Sequence, residues 1–396
     1  MDKVFRWLVM PVACLLLLSG CGSPHAGDGS RHSRSAAVLR PTVVAHLYPY
    51  GQGVDQGIVE DGVTVTLGPG EASVPDTTEF YWDRDGSVNA VSDSARVEVY
   101  LPEHPNGQMI LVCPGGGYGE LMYRSEGTYA ARILTAKGYA VAILCYRMPR
   151  GHAAIPLTDV QNAFRYLRYH AAGWGISQIG IMGMSAGGHL AACASTMYVD
   201  SLTRPDFTIL FYAVTTCEEG LVHRGSLHAL TGLPASEISA ASVLLSTPQS
   251  PDRREGPSTY AEAYLNLVRD ELERWSPVHH VTADTPPALL FHSEDDRGVK
   301  PAHSFRYFEA LRNAGVRAEL HIFPQGGHGW GFSTDETIGT PTYGTIPFPV
   351  PADAGPVDVP GDGSAAPQPK RSDKLGPYRA VFYDALYTFL EHVRPE

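Results

Sequence analysis

The residues able to do chemistry begin with Gly183-Met184-Ser185-Ala186-Gly187. A Gly-x-Ser-x-Gly motif holds a serine on a sharp turn that leaves no room for flanking side chains. Alone the motif is weak, and its context strengthens it. It directly follows the apolar run 179–182, and small residues follow it. Strand, sharp turn and helix in that order project the Ser185 hydroxyl at a sheet edge near a helix N-terminus. A serine hydroxyl needs a base to take its proton, and the base needs an acid to orient it. The chain order expected for this turn is Ser, then Asp or Glu, then His.

Two downstream loops meet that order. The apolar stretch 288–291 runs into His292-Ser293-Glu294-Asp295-Asp296-Arg297-Gly298-Val299. The stretch 319–323 runs into Pro324-Gln325-Gly326-Gly327-His328-Gly329-Trp330. Asp296 is assigned as the acid from its place ahead of Val299, with Asp295 the runner-up and Glu294 third. His328 is assigned as the base, because it sits in a glycine-rich loop straight after a strand. The bland alternative is a turn histidine. His292 meets the strand criterion too, and reads as ordering the acid loop. Acyl transfer also needs N–H donors for an oxyanion. Pro114-Gly115-Gly116-Gly117-Tyr118 follows the apolar stretch 109–113 and leaves backbone N–H groups bare. The donors expected are the N–H groups of Gly116 and Ala186, with Gly117 a third candidate.

Those loops need a scaffold, and the sequence supplies an alternating one. Strand-like stretches fall at 96–101, 109–113, 140–146, 179–184, 208–212, 288–292 and 319–323. Helical patterns fall at 128–137, 156–170, 305–314 and 378–393. Alternation of this kind predicts parallel strands with crossover helices, and near-continuous apolar strands predict a sheet covered on both faces. Two segments interrupt the rhythm. Residues 243–275 carry the charged stretch Asp252-Arg253-Arg254-Glu255 and then a helix with a capping box at Thr259 and Glu262. Its stripe is Tyr264, Val268, Leu272 and Trp275, and the segment reads as a cap-like insertion. Residues 340–374, rich in Pro, Gly, Ala and Asp, read as a loop insertion.

Composition narrows the function. Of 396 residues, 43% are hydrophobic and 18% charged, which is a globular balance and excludes a coiled coil or a mainly disordered chain. A net charge of −12 and no Lys/Arg cluster argue against a nucleic-acid surface. Near the start, Lys3 and Arg6 precede the short apolar run 7–18 and then Leu18-Ser19-Gly20-Cys21. That run is too short to span a membrane and reads as a signal peptide over 1–20. The ending resembles a bacterial lipoprotein box, with Cys21 carrying the lipid and 21–42 acting as a tether. The expected location is the bacterial cell envelope. No later stretch approaches 18 apolar residues. Beyond Cys14 and Cys21, four cysteines remain, and Cys113, Cys145, Cys193 and Cys217 read as unpaired buried thiols. No CxxC or metal-ligand spacing appears, and His279-His280 reads as a solvated or helix-end pair. Nothing in the sequence sets the oligomeric state.

One family carries these features together. Pro114–Tyr118, Tyr146-Arg147, Asp159, Ser185-Ala186-Gly187-Gly188-His189-Leu190, Ser276-Pro277-Val278, Pro286-Pro287, Asp295-Asp296 and Gly326-Gly327-His328-Gly329 are similar to the α/β-hydrolase esterases of the acetyl-xylan-esterase-like and feruloyl-esterase-like kind. The resemblance covers about 94–332 and the last helix, so the chain from 43 to 396 is expected to form one α/β-hydrolase domain. It implies a mostly parallel sheet with helices on both faces, a serine esterase, acylated-carbohydrate or small-ester substrates, and no metal or organic cofactor. The chain departs from the family at Val299-Lys300-Pro301, where Val-Pro is usual, and in its two insertions. Tyr118, Tyr123 and Trp330 are candidate sugar-stacking faces, against the commoner role of such aromatics as wall or core. A serine peptidase of the same fold is the nearest rival, though many carry an N-terminal propeller for which 70 residues are too few. A lipase would want an apolar lid, and an aryl formamidase fits a lipid anchor poorly. A glycan-binding lipoprotein without catalysis is the rival from another class.

Overall fold

The computed structural model describes residues 41–47, 95–246, 259–333 and 373–394, with the short segments 58–60, 63–65, 81–82 and 88–89. The signal segment, nearly all of the tether, the charged stretch 252–255 and nearly all of the 340–374 insertion lie outside the described residues.

Eight strands make the main sheet. They are β1 (Val43–His46), β2 (Arg96–Tyr100), β3 (Gln108–Cys113), β4 (Ala140–Cys145), β5 (Gln178–Met184), β6 (Thr208–Phe211), β7 (Ala288–Ser293) and β8 (Ala318–Phe323). Their spatial order is β1-β2-β4-β3-β5-β6-β7-β8. β2 runs antiparallel to both β1 and β4, and every other pairing is parallel. This is the mostly parallel sheet with crossover helices that the alternation predicted, in the α/β-hydrolase arrangement that the resemblance implied. Every residue of β3, β4 and β5 is buried, so both faces of the sheet centre are covered. β2 is buried on both faces as well, although its sequence alternates. Its polar face is satisfied internally, by Arg96 Nε donating to Glu98 at 2.8 Å. The edge strand β1 was not anticipated. Its apolar stretch is short and lies far in sequence from its partner.

The helices are α1 (Tyr129–Thr135), α2 (Ala154–Ala171), α3 (Ser185–Thr196), α4 (Arg224–Thr231), α5 (Ala235–Ser246), α6 (Tyr260–Arg274), α7 (Ala302–Asn313) and α8 (Arg379–His392). Of the expected stripe Val160, Phe164, Leu167 and Ala171, α2 buries the first three, with Ala163 beside them, and leaves Ala171 half-buried. α1 is shorter than the expected helix over 128–137, because a π-helical turn, Tyr123–Thr128, precedes it. The cap-like excursion begins well before residue 243: it runs from the end of β6 to β7 and includes α4 and α5. At α6 the Thr259 hydroxyl accepts from Glu262 N–H at 3.1 Å, so the capping box is half realised in that bond. Val268, Leu272 and Trp275 are buried, but Tyr264 is 39% exposed and donates its hydroxyl to Glu237 on α5 at 2.7 Å.

Cys113, Cys145, Cys193 and Cys217 are free and buried, as expected. Among the described residues, no single helix is long and apolar enough to cross a membrane.

Candidate active site

Because β3, β5, β7 and β8 run parallel, the loops that follow them leave the same carboxyl edge of the sheet. The turn after β5 is tight enough that a Cβ on Gly183 would stand 2.1 Å from Gly187 O. A Cβ on Gly187 would stand 2.1 Å from Cys113 O, so α3 starts hard against the loop after β3. Ser185 itself sits at φ +53°, a left-handed conformation that costs a non-glycine residue energy and recurs at functional sites.

Ser185, His328 and Asp296 meet there. Ser185 Oγ lies 2.8 Å from His328 Nε2, and His328 Nδ1 lies 2.7 Å from Asp296 Oδ2. With the Nδ1 proton directed at Asp296, Nε2 is left to accept from the serine hydroxyl. The acid is held from several sides. Asp296 Oδ1 accepts the N–H groups of Gly298 at 2.8 Å and Val299 at 2.9 Å. Burial alone would push its carboxyl up, but hydrogen bonds from His292 and His328, the His328 charge and the Val299 N–H outweigh it. The carboxyl is held well below the usual carboxylate range. His292 is fully buried, with Val299 O 2.9 Å from Nε2 and Ser304 Oγ 2.8 Å from Nδ1, so it orders the acid loop as read. The runner-up Asp295 has a separate place: it accepts Gly327 N–H at 2.7 Å and so steadies the histidine loop. Glu294 is exposed.

The glycine loop lies alongside. Gly115 N–H is committed to Glu126 at 2.7 Å. None of the hydrogen bonds among the described residues uses the N–H groups of Gly116, Gly117 or Ala186. Gly116, at φ +131°, accepts from both Gly119 and Glu120 N–H. A Cβ there would fall 2.0 Å from Glu120 O, so only glycine fits. Of the three expected donors, Ala186 N–H directly follows the nucleophile at the start of α3, and Gly116 and Gly117 follow Gly115, where a Cβ would stand 3.0 Å from Ser185 Cβ. Such a set can stabilise the negative oxygen of a tetrahedral adduct on Ser185.

The three aromatic candidates are a correction. Tyr118, Tyr123 and Trp330 are only 3%, 1% and 0% exposed and offer no stacking face. Tyr118 hydroxyl bonds His189 Nδ1 at 2.7 Å, and Tyr123 hydroxyl bonds Glu98. Trp330 packs edge-on against Phe211 and Phe382, each with ring centroids 5.4 Å away. Being next to glycine loops placed them near the site, and their size drew them into the core.

The sequence reading missed Glu126, Tyr212 and the His223–Ser226 pair. The Tyr212 ring centroid lies 4.8 Å from that of His328. His223 caps α4, with Nδ1 2.8 Å from Ser226 Oγ. Ser226 Oγ is 4.0 Å from where a Gly117 Cβ would be, so α4 begins beside the glycine loop. Burial and then the nearness of His328 push His223 down. Only the place of Tyr212, just after a strand, could have signalled any of these. Among the described residues, no group of three His, Cys, Asp or Glu side chains could hold a metal ion.

Comparison with known proteins places the chain among esterase-like sequences and folds. Residues 97–219 match the BD-FAE family, and residues 255–340 match the Prolyl oligopeptidase family. The chain is 35% identical to an acetylxylan esterase of Xylanibacter ruminicola over 249 residues, 62% of this chain and 46% of that protein. It is 27% identical to endo-1,4-beta-xylanase B of Butyrivibrio fibrisolvens over 243 residues, 57% of this chain and 33% of that one. The chain thus spans less than half the length of either relative. Among solved structures, the carboxylesterase Cest-2923 of Lactobacillus plantarum shares the fold. Its TM-score is 0.50 at 17% identity, over 78% of this chain and 98% of that one.

Proposed function

We propose that this chain, an α/β-hydrolase related to the acetylxylan esterases, is a serine carboxylic-ester hydrolase that removes acetyl groups from xylan or a related carbohydrate ester. The observation that carries the reading is the unbroken chain from Ser185 Oγ through His328 to Asp296, at 2.8 and 2.7 Å. In the proposed course, His328 takes the Ser185 proton as Oγ attacks the ester carbonyl. The oxyanion rests on the amides of Gly116 and Ala186, with Gly117 in reach. The alcohol leaves with the proton from His328, and an acyl-serine remains. Water, deprotonated by His328, then releases the carboxylic acid and restores Ser185. Asp296 keeps the imidazole in the tautomer that each step needs. The likeness to an acetylxylan esterase favours acetate as the acyl group, and feruloyl or other small esters are the alternative.

The test is acetate release from acetylated xylan and from 4-nitrophenyl acetate, with Ser185→Ala alongside. Release from both, lost at least about 10⁴-fold in the variant, is the expected result. Release from the aryl ester alone would discard acetylxylan. Retention of activity within tenfold in the variant would remove Ser185 from its role. A peptidase reading draws on the Prolyl oligopeptidase match alone, and cleavage of an aryl peptide amide in place of the esters would favour it.

The lipoprotein reading of Cys21 places the enzyme on the bacterial cell envelope, held by acyl chains. Labelled palmitate should enter the expressed protein and be lost in Cys21→Ser.

A further inference from the structure

Glu126 lies directly beneath the glycine loop and takes no part in the course above. It sits in the π-helical turn Tyr123–Thr128 and is only 4% exposed. Single π turns are uncommon and often occur at functional sites. Its two carboxylate oxygens hold different loops. Oε2 accepts Gly115 N–H at 2.7 Å, and Oε1 accepts the Tyr212 hydroxyl at 2.9 Å. That hydroxyl in turn accepts Gly331 N–H at 3.0 Å, three residues past His328. The Tyr212 ring also lies against the His328 imidazole, with centroids 4.8 Å apart. Gly115, which Glu126 holds, also abuts the nucleophile. A Cβ on Gly115 would stand 2.8 Å from Glu126 Oε2 and 3.0 Å from Ser185 Cβ. One side chain therefore reaches the oxyanion loop directly and the base loop through one hydroxyl.

Stability alone does not account for a carboxylate there. No Lys or Arg lies within ion-pair distance of Glu126 among the described residues. Burial pushes its carboxyl up, against the hydrogen bonds from Gly115 and Tyr212 and the more distant charges of His328 and Lys374. A buried carboxylate with no cation in direct contact costs folding energy that those more distant charges only partly offset. An amide of the same shape would carry no such cost. What the carboxylate supplies and an amide does not is two acceptors at once, one for each loop.

We propose that Glu126 is a positioning residue for the ester hydrolysis proposed above, holding the oxyanion loop and the base loop in one register on either side of Ser185. The inference rests on that reading. With Gly115 N–H tied down, Gly116 and Gly117 are the loop amides left for the oxyanion. In Glu126→Gln, one acceptor becomes an NH₂ donor. The amide oxygen can keep Gly115, but the NH₂ then faces the Tyr212 hydroxyl and its proton loses its acceptor. A small shift of either loop is enough to misplace the donors or the base, and about 1 Å costs on the order of a hundredfold.

The experiment compares wild type, Glu126→Gln, Tyr212→Phe and the double variant. It reads kcat and KM on 4-nitrophenyl acetate, inhibition by phenylboronic acid and the melting temperature. Phenylboronic acid forms a tetrahedral anionic adduct on a nucleophilic serine, so its affinity reports the oxyanion site. Glu126→Gln should lower kcat about ten- to a hundredfold and leave KM within about threefold. Boronate affinity should fall in parallel, and the melting temperature should hold or rise. Tyr212→Phe should lose less, and the double variant should be no worse than about the Glu126→Gln value, because the two act as one unit. Glu126→Gln within threefold of wild-type kcat, a loss confined to KM, or additive losses in the double variant would each overturn the inference. If Glu126→Gln does not fold, Tyr212→Phe decides: unchanged kcat and boronate affinity overturn the inference. A wild-type chain that turns over no ester sinks the parent reading and this inference with it. Wild-type turnover untouched by these variants sinks this inference alone.

Discussion

The floor of the site and the excursion above it are built on different terms. In the floor, four loops from parallel strands bind one another through short hydrogen bonds whose members are largely buried. Asp295 steadies the histidine loop, His292 the acid loop and Glu126 the glycine loop. The Gly331 carbonyl is fixed by Arg379 Nη1 at 2.7 Å from the last helix. The helices of the excursion, α4 to α6, touch the loops of the floor at a few named points. Ser226 stands beside Gly117, and Trp275 O lies 2.8 Å from His189 Nε2. Its outer face leaves Tyr260 89% and Leu267 67% exposed. The difference teaches where each kind of constraint lives. Proton transfer tolerates little displacement, so the floor is over-determined. Substrate shape can be met by more than one surface, so the excursion needs fewer fixed contacts.

Substitutions can break or sharpen that contrast. In the floor, Asp296→Asn should leave the fold intact and lower kcat by about three to four orders of magnitude, by favouring the wrong imidazole tautomer. Steady-state rates on 4-nitrophenyl acetate with circular dichroism check it, and a loss under tenfold would demote Asp296. Trp330 lies under the floor. Trp330→Ala should cost about 3–5 kcal/mol of stability, read by urea unfolding. The KM for acetylated xylan in the protein that remains folded should change little. A large rise in KM without loss of stability would restore Trp330 as a sugar face. In the excursion, Thr259→Ala removes the cap of α6 and should cost only about 0.5–2 kcal/mol. Its kcat on the small aryl ester should stay within twofold of wild type, and a collapse of kcat would mean the excursion shapes the floor after all.

The same contrast governs what the sequence made readable. Ser185, Asp296 and His328 are legible because each sits at the end of an apolar strand, in a chain order that chemistry requires. Their loops are rich in glycine because close approach demands it, and that leaves a written trace. Glu126 leaves none. It lies in a π turn ahead of the helical pattern that begins at 128, and nothing in 123–128 separates a buried acceptor from a surface carboxylate. Tyr118, Tyr123 and Trp330 show the opposite error. Their neighbours were informative, but exposure is decided by packing from β2, α3 and α8, far away in sequence. The excursion was read as starting at 243, although α4 and α5 begin before that position. β1 was missed because a four-residue edge strand draws its pairing from a partner some fifty residues on.

The central claim is that Ser185, activated by His328, forms a covalent acyl intermediate. The most direct measurement treats the full chain with diethyl 4-nitrophenyl phosphate, which phosphorylates activated serines. Intact mass and peptide mapping then locate the adduct. The account predicts one diethyl phosphate on the peptide bearing Ser185, loss of ester hydrolysis in step with its formation, no adduct in Ser185→Ala and a much slower one in His328→Ala. An adduct on another residue, or continued ester hydrolysis after full modification of Ser185, would contradict it.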